Sequence, residues 1–305
     1  MKTLQSLTTD PYFNLAWEEY ILKHIHKDED ILLLWQNDTS IIIGRNQNVF
    51  EEVNLDYIVK SQIPLIRRIS GGGTVFHDLG NLNYTYITRA KGNINNYRKM
   101  TESIIEALKQ LDIDASFVEK SDIKLGDKKI SGNAQFVFGE KLLHHGTLLI
   151  KSNLDLLKPA LKEKVNAIES ISVKSNRSSV TNLCDHSLLS MEAIKDQLTN
   201  TLLKDATLIT LTPKDLKHIE ALKNEKYLTY AWNYGESPKS MIQKSLDNYQ
   251  IKVTVNYGMI EEALIIKDGT LSLLLSSELV GERLFPKELS FLIKKAPEVY
   301  QMLFT

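Results

Sequence analysis

Apolar and polar positions along this chain alternate between two periods, and the switch points mark its elements. In "DPYFNLAWEEYILKHI", Phe13, Ala16, Trp17, Tyr20 and Ile21 recur at helical spacing. Asp10 can cap that helix, and Pro11 suits its first turn, where no backbone donor is needed. "ILLLWQN" and "SIIIGRNQN" are short apolar runs around a polar turn at Asp38-Thr39, which predicts a buried pair of strands. "PLIRRIS" reads as a strand entering a glycine-rich loop. "NLNYTYIT" reads as another, with Leu82, Tyr84 and Tyr86 alternating with Asn83 and Thr85. An amphipathic helix spans 95–111. "DIKLG", "KKISGNAQFVFG" and "KLLHHGTLLI" then read as strands joined by turns at Gly126-Asp127 and Gly139-Glu140. The region 153–205 reads as mostly helical around a polar stretch "SVKSNRSSVTN", and 213–225 as a further helix.

Gly235, Ser237 and Pro238 interrupt the pattern and mark a boundary. It divides the chain into residues 1–236 and a smaller part, 237–305, with strands at "IKVTVNYG" and "EEALIIKDGTLSLLL" and a helical tail. Meandering strands mixed with helices give an α+β fold, not repeated βαβ units. With 305 residues, 43% hydrophobic and 25% charged, the chain is ordinary globular material. The net charge of −1 gives no electrostatic case for nucleic acid or a membrane surface as partner. One cysteine, Cys184, excludes an internal disulfide. The N-terminal "MKTLQSLTTD" lacks a signal peptide's apolar centre, so a cytoplasmic location is expected.

Chemistry concentrates at "RRISGGGTVFHDLGN", residues 67–81. A phosphate loop needs Lys-Ser/Thr after its last glycine, and Thr74-Val75 stands there. A dinucleotide fingerprint opens a helix, whereas this loop enters a second strand. What is left is either a glycine-rich bend or a loop whose backbone closes on an anion or flat ligand. Strand alternation lets only one of Arg67 and Arg68 share its working face. Alternation also separates Lys128 from Lys129 and His144 from His145, so the two histidines cannot jointly hold a metal. Cys184 lacks any nucleophile context and reads as a small buried hydrophobe.

Taken in order, "NLAWEE", "LWQN…IIIGRNQN", "RRISGGGTVFHDLGN", "KKISGNAQ", "HHGTLLI", "SVKSNRSSVTNL" and "WNYG" resemble the lipoate–protein ligase family, from about residue 8 to 238. The resemblance implies a mixed-sheet catalytic domain of the biotin/lipoate-ligase type, with 237–305 as a small accessory domain. It implies a two-step reaction. Lipoate and ATP, with Mg²⁺, give lipoyl-AMP; the lipoyl group then passes to a lysine of an apo lipoyl domain of a 2-oxoacid dehydrogenase E2 subunit or of a glycine-cleavage H protein. Carried over by position, Lys129 is the catalytic lysine, contacting both acyl group and nucleotide. Arg68, Gly73, Thr74, Val75 and Phe76 are implied to contact ATP. Trp17, Trp35, Ser70, Gly71, Gly72, His77 and His145 are implied to line the lipoate slot, and Asp122 to assist a magnesium ion. The residue before it, Ser121, departs from the family's Asn-Asp pair. Two competing readings are a cysteine-dependent octanoyl or lipoyl transferase of the same fold, for which Cys184 lies outside any matching segment, and a non-catalytic lipoate-binding protein, which the presence of Lys129 disfavours. A biotin ligase lacks its glycine-arginine signature here.

Overall fold

A computed structural model describes residues 1–25, 28–118, 120–161, 168–175 and 178–304. Its largest element is an eight-stranded mixed sheet. The strand order is Thr207–Leu208, Lys2–Thr3, Ile31–Trp35, Asn81–Arg89, Lys141–Leu149, Lys128–Phe138, Asp122–Leu125 and Ala115–Val118. The strands from Ile31–Trp35 onward pair antiparallel with their neighbours. The α+β expectation holds.

Side-chain alternation gives this sheet two apolar faces. Leu143, Ile87, Ile31 and Leu33 pack under the helix Pro11–Tyr20, with Ala16, Trp17, Tyr20 and Ile21. Asp10 caps that helix by accepting from the Tyr12 N–H, as expected. On the opposite face Leu148, Leu82, Leu32 and Ile130 pack under the helices Tyr97–Lys109 and Met191–Leu202.

The apolar runs at 31–35 and 40–43 are both buried strands, but they do not pair with each other. Ile31–Trp35 pairs with Asn81–Arg89 in the large sheet. Ser40–Ile43 instead lies between Leu65–Arg67 and Val75–His77 in a three-stranded sheet. The turn between the runs is therefore a crossing from one sheet to another. This second sheet carries the glycine loop, since Leu65–Arg67 enters it and Val75–His77 leaves it.

Ser240–Leu246, Tyr249–Asn256, Met259–Lys267 and Thr270–Leu271 form a third, antiparallel sheet, and its first edge strand is Ile168–Ser170. A strand thus stands inside a region read as mostly helical. The helices there are Leu154–Ala160, a short 3₁₀ turn at Leu183–His186, and Met191–Leu202. Part of that reading, at 162–167 and at Asn176-Arg177 of the polar stretch, lies outside the described residues. One apolar cluster joins Ile41, Ile43 and Phe76 of the glycine-loop sheet to Val253, Ile265, Leu279 and Phe304 of the C-terminal part. No helix among the described residues is long and apolar enough to cross a membrane.

Candidate active site

The glycine loop and the face of the large sheet that carries the helix Pro11–Tyr20 enclose a cavity of about 250 Å³. Its floor is one row of residues across the sheet. Trp35 pairs with Asn83, and Asn83 with Thr147. Gly132 donates its N–H to Thr147 Oγ1 at 3.3 Å and pairs with Asp122. Four inter-strand steps of about 4.8 Å make the row roughly 19 Å long. One end is apolar, at Trp35 with Leu15 and Ile42. The other is ionic, at Asp122 and Lys129.

Lys129 is held at that end from three directions. The segment 179–181 runs beside it: its N–H donates to Ser179 O (2.8 Å), and its carbonyl accepts from Thr181 N (3.1 Å). A bulge at Ile123/Lys124 shifts the register of the neighbouring strand. The ammonium group sits 2.9 Å from Asp122 Oδ1. Gly132 leaves room for it, because a Cβ there would lie 2.8 Å from Nζ and 2.9 Å from Cε. Lys128, one residue away, is exposed at the start of the strand.

The two arginines before the loop separate as alternation requires. Arg67 is fully buried and donates to the carbonyls of Gly44, Arg45, Gln47, Trp232 and Asn233. Its burial, with Arg45 close by, pulls its pKa down to about 9. It ties the turn after Ser40–Ile43 to the segment 232–237. Arg68 lines the cavity, yet its fork closes inward. Nη2 donates to Gly71 O (2.6 Å) and Gly73 O (2.8 Å), Nη1 to Ile42 O, and Nε to Ser70 Oγ (3.0 Å). Burial lowers its pKa to about 10, against the opposing pull of Glu18. Arg68 therefore shapes the loop, and its contact to any phosphate would be made beside those bonds. Gly72, at φ +89°, takes a conformation that a side chain would strain.

Behind the loop runs a chain of polar groups. Ser70 Oγ meets His145 Nε2 at 2.6 Å, and His145 Nδ1 donates to Glu18 Oε1 at 2.9 Å. The same carboxylate oxygen accepts from Thr85 Oγ1, which in turn accepts from Trp35 Nε1. The connectivity is that of a Ser–His–carboxylate triad. Ser70 is nonetheless wholly buried and does not line the cavity, so the chain braces the loop and offers no nucleophile. His144 points the other way, into a buried network with Asn133 and Gln135.

The structure gathers Arg68, Gly72, Gly73, Thr74, Val75, His77, Trp35, Asp122, Lys129 and His145 around one cavity. Four expected residues fall elsewhere. Trp17 lies in the core beneath the helix Pro11–Tyr20, 1% exposed, and is not a wall of the slot. Phe76 alternates away from Val75 into the other core cluster. Ser70 is buried behind the lining, where it bonds His145, and Gly71, half-buried and facing open space, accepts from Arg68 without lining the cavity. Asp122 is paired with Lys129, and no three His, Cys, Asp or Glu side chains converge among the described residues. The donor set does not fit a magnesium ion held by the protein alone. Cys184 is half-buried in the turn Leu183–His186, away from the cavity, and burial pushes its thiol pKa up.

Several lining residues have no role assigned from the sequence, although Lys174 and Ser175 lie in the resembling segment "SVKSNRSSVTNL". Ser175 Oγ accepts from Thr74 N (3.0 Å) and Gln47 Nε2 (2.9 Å), latching a distant segment onto the loop. Lys120 and Lys174 add cations to the cavity wall. Glu18 had a signal: Asn14 and Glu18 stand at core spacing with Leu15 and Leu22, so a polar function was due on a buried face.

A family model described as the lipoyl protein ligase A/B catalytic domain matches residues 10–203. The chain is 42% identical over 269 residues to lipoate–protein ligase 1 of Staphylococcus aureus, covering 85% of this chain and 82% of that one. It is 39% identical over 271 residues to the Bacillus subtilis lipoate-protein ligase LplJ, with coverage of 85% and 82%. The human mitochondrial lipoyl amidotransferase LIPT1 is 33% identical over 313 residues, covering 95% and 83%. Among solved structures, a bipartite lipoate protein ligase described with its E2 lipoyl domain, from Thermoplasma acidophilum, superposes with a TM-score of 0.68 at 30% identity, covering 81% of this chain and 98% of that one. A lipoate-protein ligase A bound with ATP gives 0.67 at 30%, and the T. acidophilum protein with bound lipoic acid gives 0.66 at 31%; each covers 77% of this chain and 98% of its own. The chain belongs to the lipoate–protein ligase family.

Proposed function

We propose that this protein activates lipoate with ATP and transfers the lipoyl group to a lysine of an acceptor lipoyl domain. In the first step a lipoate carboxylate oxygen bonds the α-phosphorus of ATP and pyrophosphate leaves. In the second, an acceptor lysine amine bonds the acyl carbon, the carbon–oxygen bond to phosphate breaks, AMP leaves, and the amine loses a proton. Both steps build negative charge where carboxylate and α-phosphate meet. A fixed cation at that point stabilises the transition state more than the ground state. The observation that carries the reading is the placement of Lys129 Nζ at the ionic end of a row whose other end is apolar. An acyl acid with its carboxylate at Lys129 would direct its tail along the row, toward the Trp35 end. The glycine loop would cover the anhydride and exclude water. Residues 237–305 act as an accessory domain, and an H protein is a second acceptor class.

A lipoyl domain as acceptor is supported by the structure described with its E2 lipoyl domain. The amidotransferase relative favours a second reading, in which the lipoyl group arrives from another carrier. A cysteine thioester route is disfavoured because Cys184 is remote and its thiol is harder to ionise. The test is a single-turnover reaction with lipoate, MgATP and no acceptor, quenched and separated by chromatography. Lipoyl-AMP and pyrophosphate are expected in equal amounts. Their absence, with transfer occurring only from a lipoylated donor protein, would replace the ligase reading by the amidotransferase one.

A further inference from the structure

At the apolar end of the cavity two buried polar groups lack partners among the described residues. His77 Nε2 and Asn83 Nδ2 find no hydrogen-bond acceptor there, although the residues are only 4% and 2% exposed. Both line the cavity. Asn83 is the cross-strand partner of Trp35, and the His77 ring stands edge-on to the Trp35 ring, with centroids 6.1 Å apart.

The protonation of His77 follows from the backbone outward. Asn14 Nδ2 faces the carbonyls of Thr8 (3.1 Å) and Gln36 (2.9 Å), which fixes that amide's orientation. The same nitrogen donates to Asn37 Oδ1 at 2.9 Å, so the other end of Asn37, its NH₂, faces His77 Nδ1 at 3.0 Å. Nδ1 accepts, and the ring proton is on Nε2. Burial, with Arg68 and His145 close by, holds the ring neutral, its pKa pulled down to about 3. His77 thus presents a donor of fixed direction. Asn83 is bonded through one end of its amide to Asn81, which leaves the other end free.

A buried donor without an acceptor is costly. A saturated hydrocarbon tail seated here would leave that donor unsatisfied, whereas a tail bearing sulfur supplies a weak, polarisable acceptor. We infer that His77, with Asn83 beside it, is a specificity-determining residue that selects an acyl tail carrying acceptor atoms, as in a dithiolane, over a hydrocarbon tail of the same shape. This rests on the reading of the cavity as an acyl-acid site.

The decisive comparison is lipoate against 5-cyclopentylpentanoate, which keeps the ring, chain and carboxylate and replaces both sulfurs by methylenes. Isothermal titration calorimetry on the wild-type protein should show the carbocycle bound about fivefold to tenfold more weakly, the range expected for one unmet hydrogen bond. Octanoate should follow the carbocycle. The double variant Asn37→Leu/His77→Phe removes the donor and its partner together. It should bring the two affinities to within about twofold. Equal affinities in the wild type, or a ratio unchanged in the double variant, overturn the inference while leaving the ligase reading intact. If neither acid binds the wild-type protein, the acyl-site reading and this inference fall together.

Discussion

Gly132→Ala separates catalysis from stability with one methyl group. The new Cβ would stand 2.8 Å from Lys129 Nζ and 2.9 Å from Cε, while ordinary contact begins at 3.4 Å. The ammonium must therefore retreat by at least 0.6 Å and Cε by at least 0.5 Å. Both atoms belong to the far end of a flexible side chain, so the displacement costs only about 0.5–1.5 kcal/mol of rotamer strain. Gly132 is not among the glycines with positive φ, so alanine fits its backbone and offsets that cost by about 0.5–1 kcal/mol through the unfolded chain. The melting temperature should change little. Activity should not survive so well, since a misplacement of about 1 Å at the reacting centre is worth roughly 10²-fold, or about 2.7 kcal/mol of barrier. Scanning calorimetry and pyrophosphate release in steady state are the assays. A variant with wild-type kcat/KM would show that the position of Lys129 Nζ is not critical. A variant that loses stability and activity together would show that Gly132 serves packing.

Lys129→Ala should reduce adenylate formation by about 10²–10³-fold, while Lys128→Ala on the opposite, exposed face stays within about twofold, both read by pyrophosphate release. Cys184→Ser should keep transfer to an apo lipoyl domain within a few-fold; an acyl group recovered on Cys184 by mass spectrometry would contradict it. Stability should fall on acidification, because burial lowers the pKa of both His77 and His144 to about 3. Between the ordinary value of 6.5 and that depressed one the unfolded chain takes up protons that the native one refuses. The contribution is complete above pH 6.5 and is lost as the pH falls toward 3, each histidine removing about 2 kcal/mol by pH 5. Urea titrations at pH 7.5 and 5.0 measure it, and His144→Gln should roughly halve the difference.

Local chemistry was legible in this chain, and long-range geometry was not. Strand alternation separated Arg67 from Arg68, Lys128 from Lys129 and His144 from His145, because a two-residue period is fixed by backbone geometry alone. The same rule could not say which sheet a strand joins. Ile31–Trp35 and Ser40–Ile43 have equally apolar sequences and part company at a polar turn. Trp17 was misplaced because a tryptophan on a buried helix face suits a ligand wall and a core equally well. The latch of Ser175 on Thr74 spans about a hundred residues of sequence; both stand in segments that carry the resemblance, but local patterning does not say that the two segments touch.

The apolar cluster that runs from Ile41, Ile43 and Phe76 into Val253, Ile265 and Phe304 has a consequence for anyone who would cut this chain. A break near residue 236 severs no cysteine bridge and falls where the sequence itself pauses. It would nonetheless strip the glycine-loop sheet of the side chains that cover its outer face, and would take from the C-terminal sheet its edge strand Ile168–Ser170. Each fragment would carry a greasy half-surface shaped only to fit the other. Expressed apart, the halves should be poorly soluble; expressed together, they should find one another and rebuild the whole without a linker. The part that looks dispensable by length is, by contact, a wall of the house in which the chemistry is done.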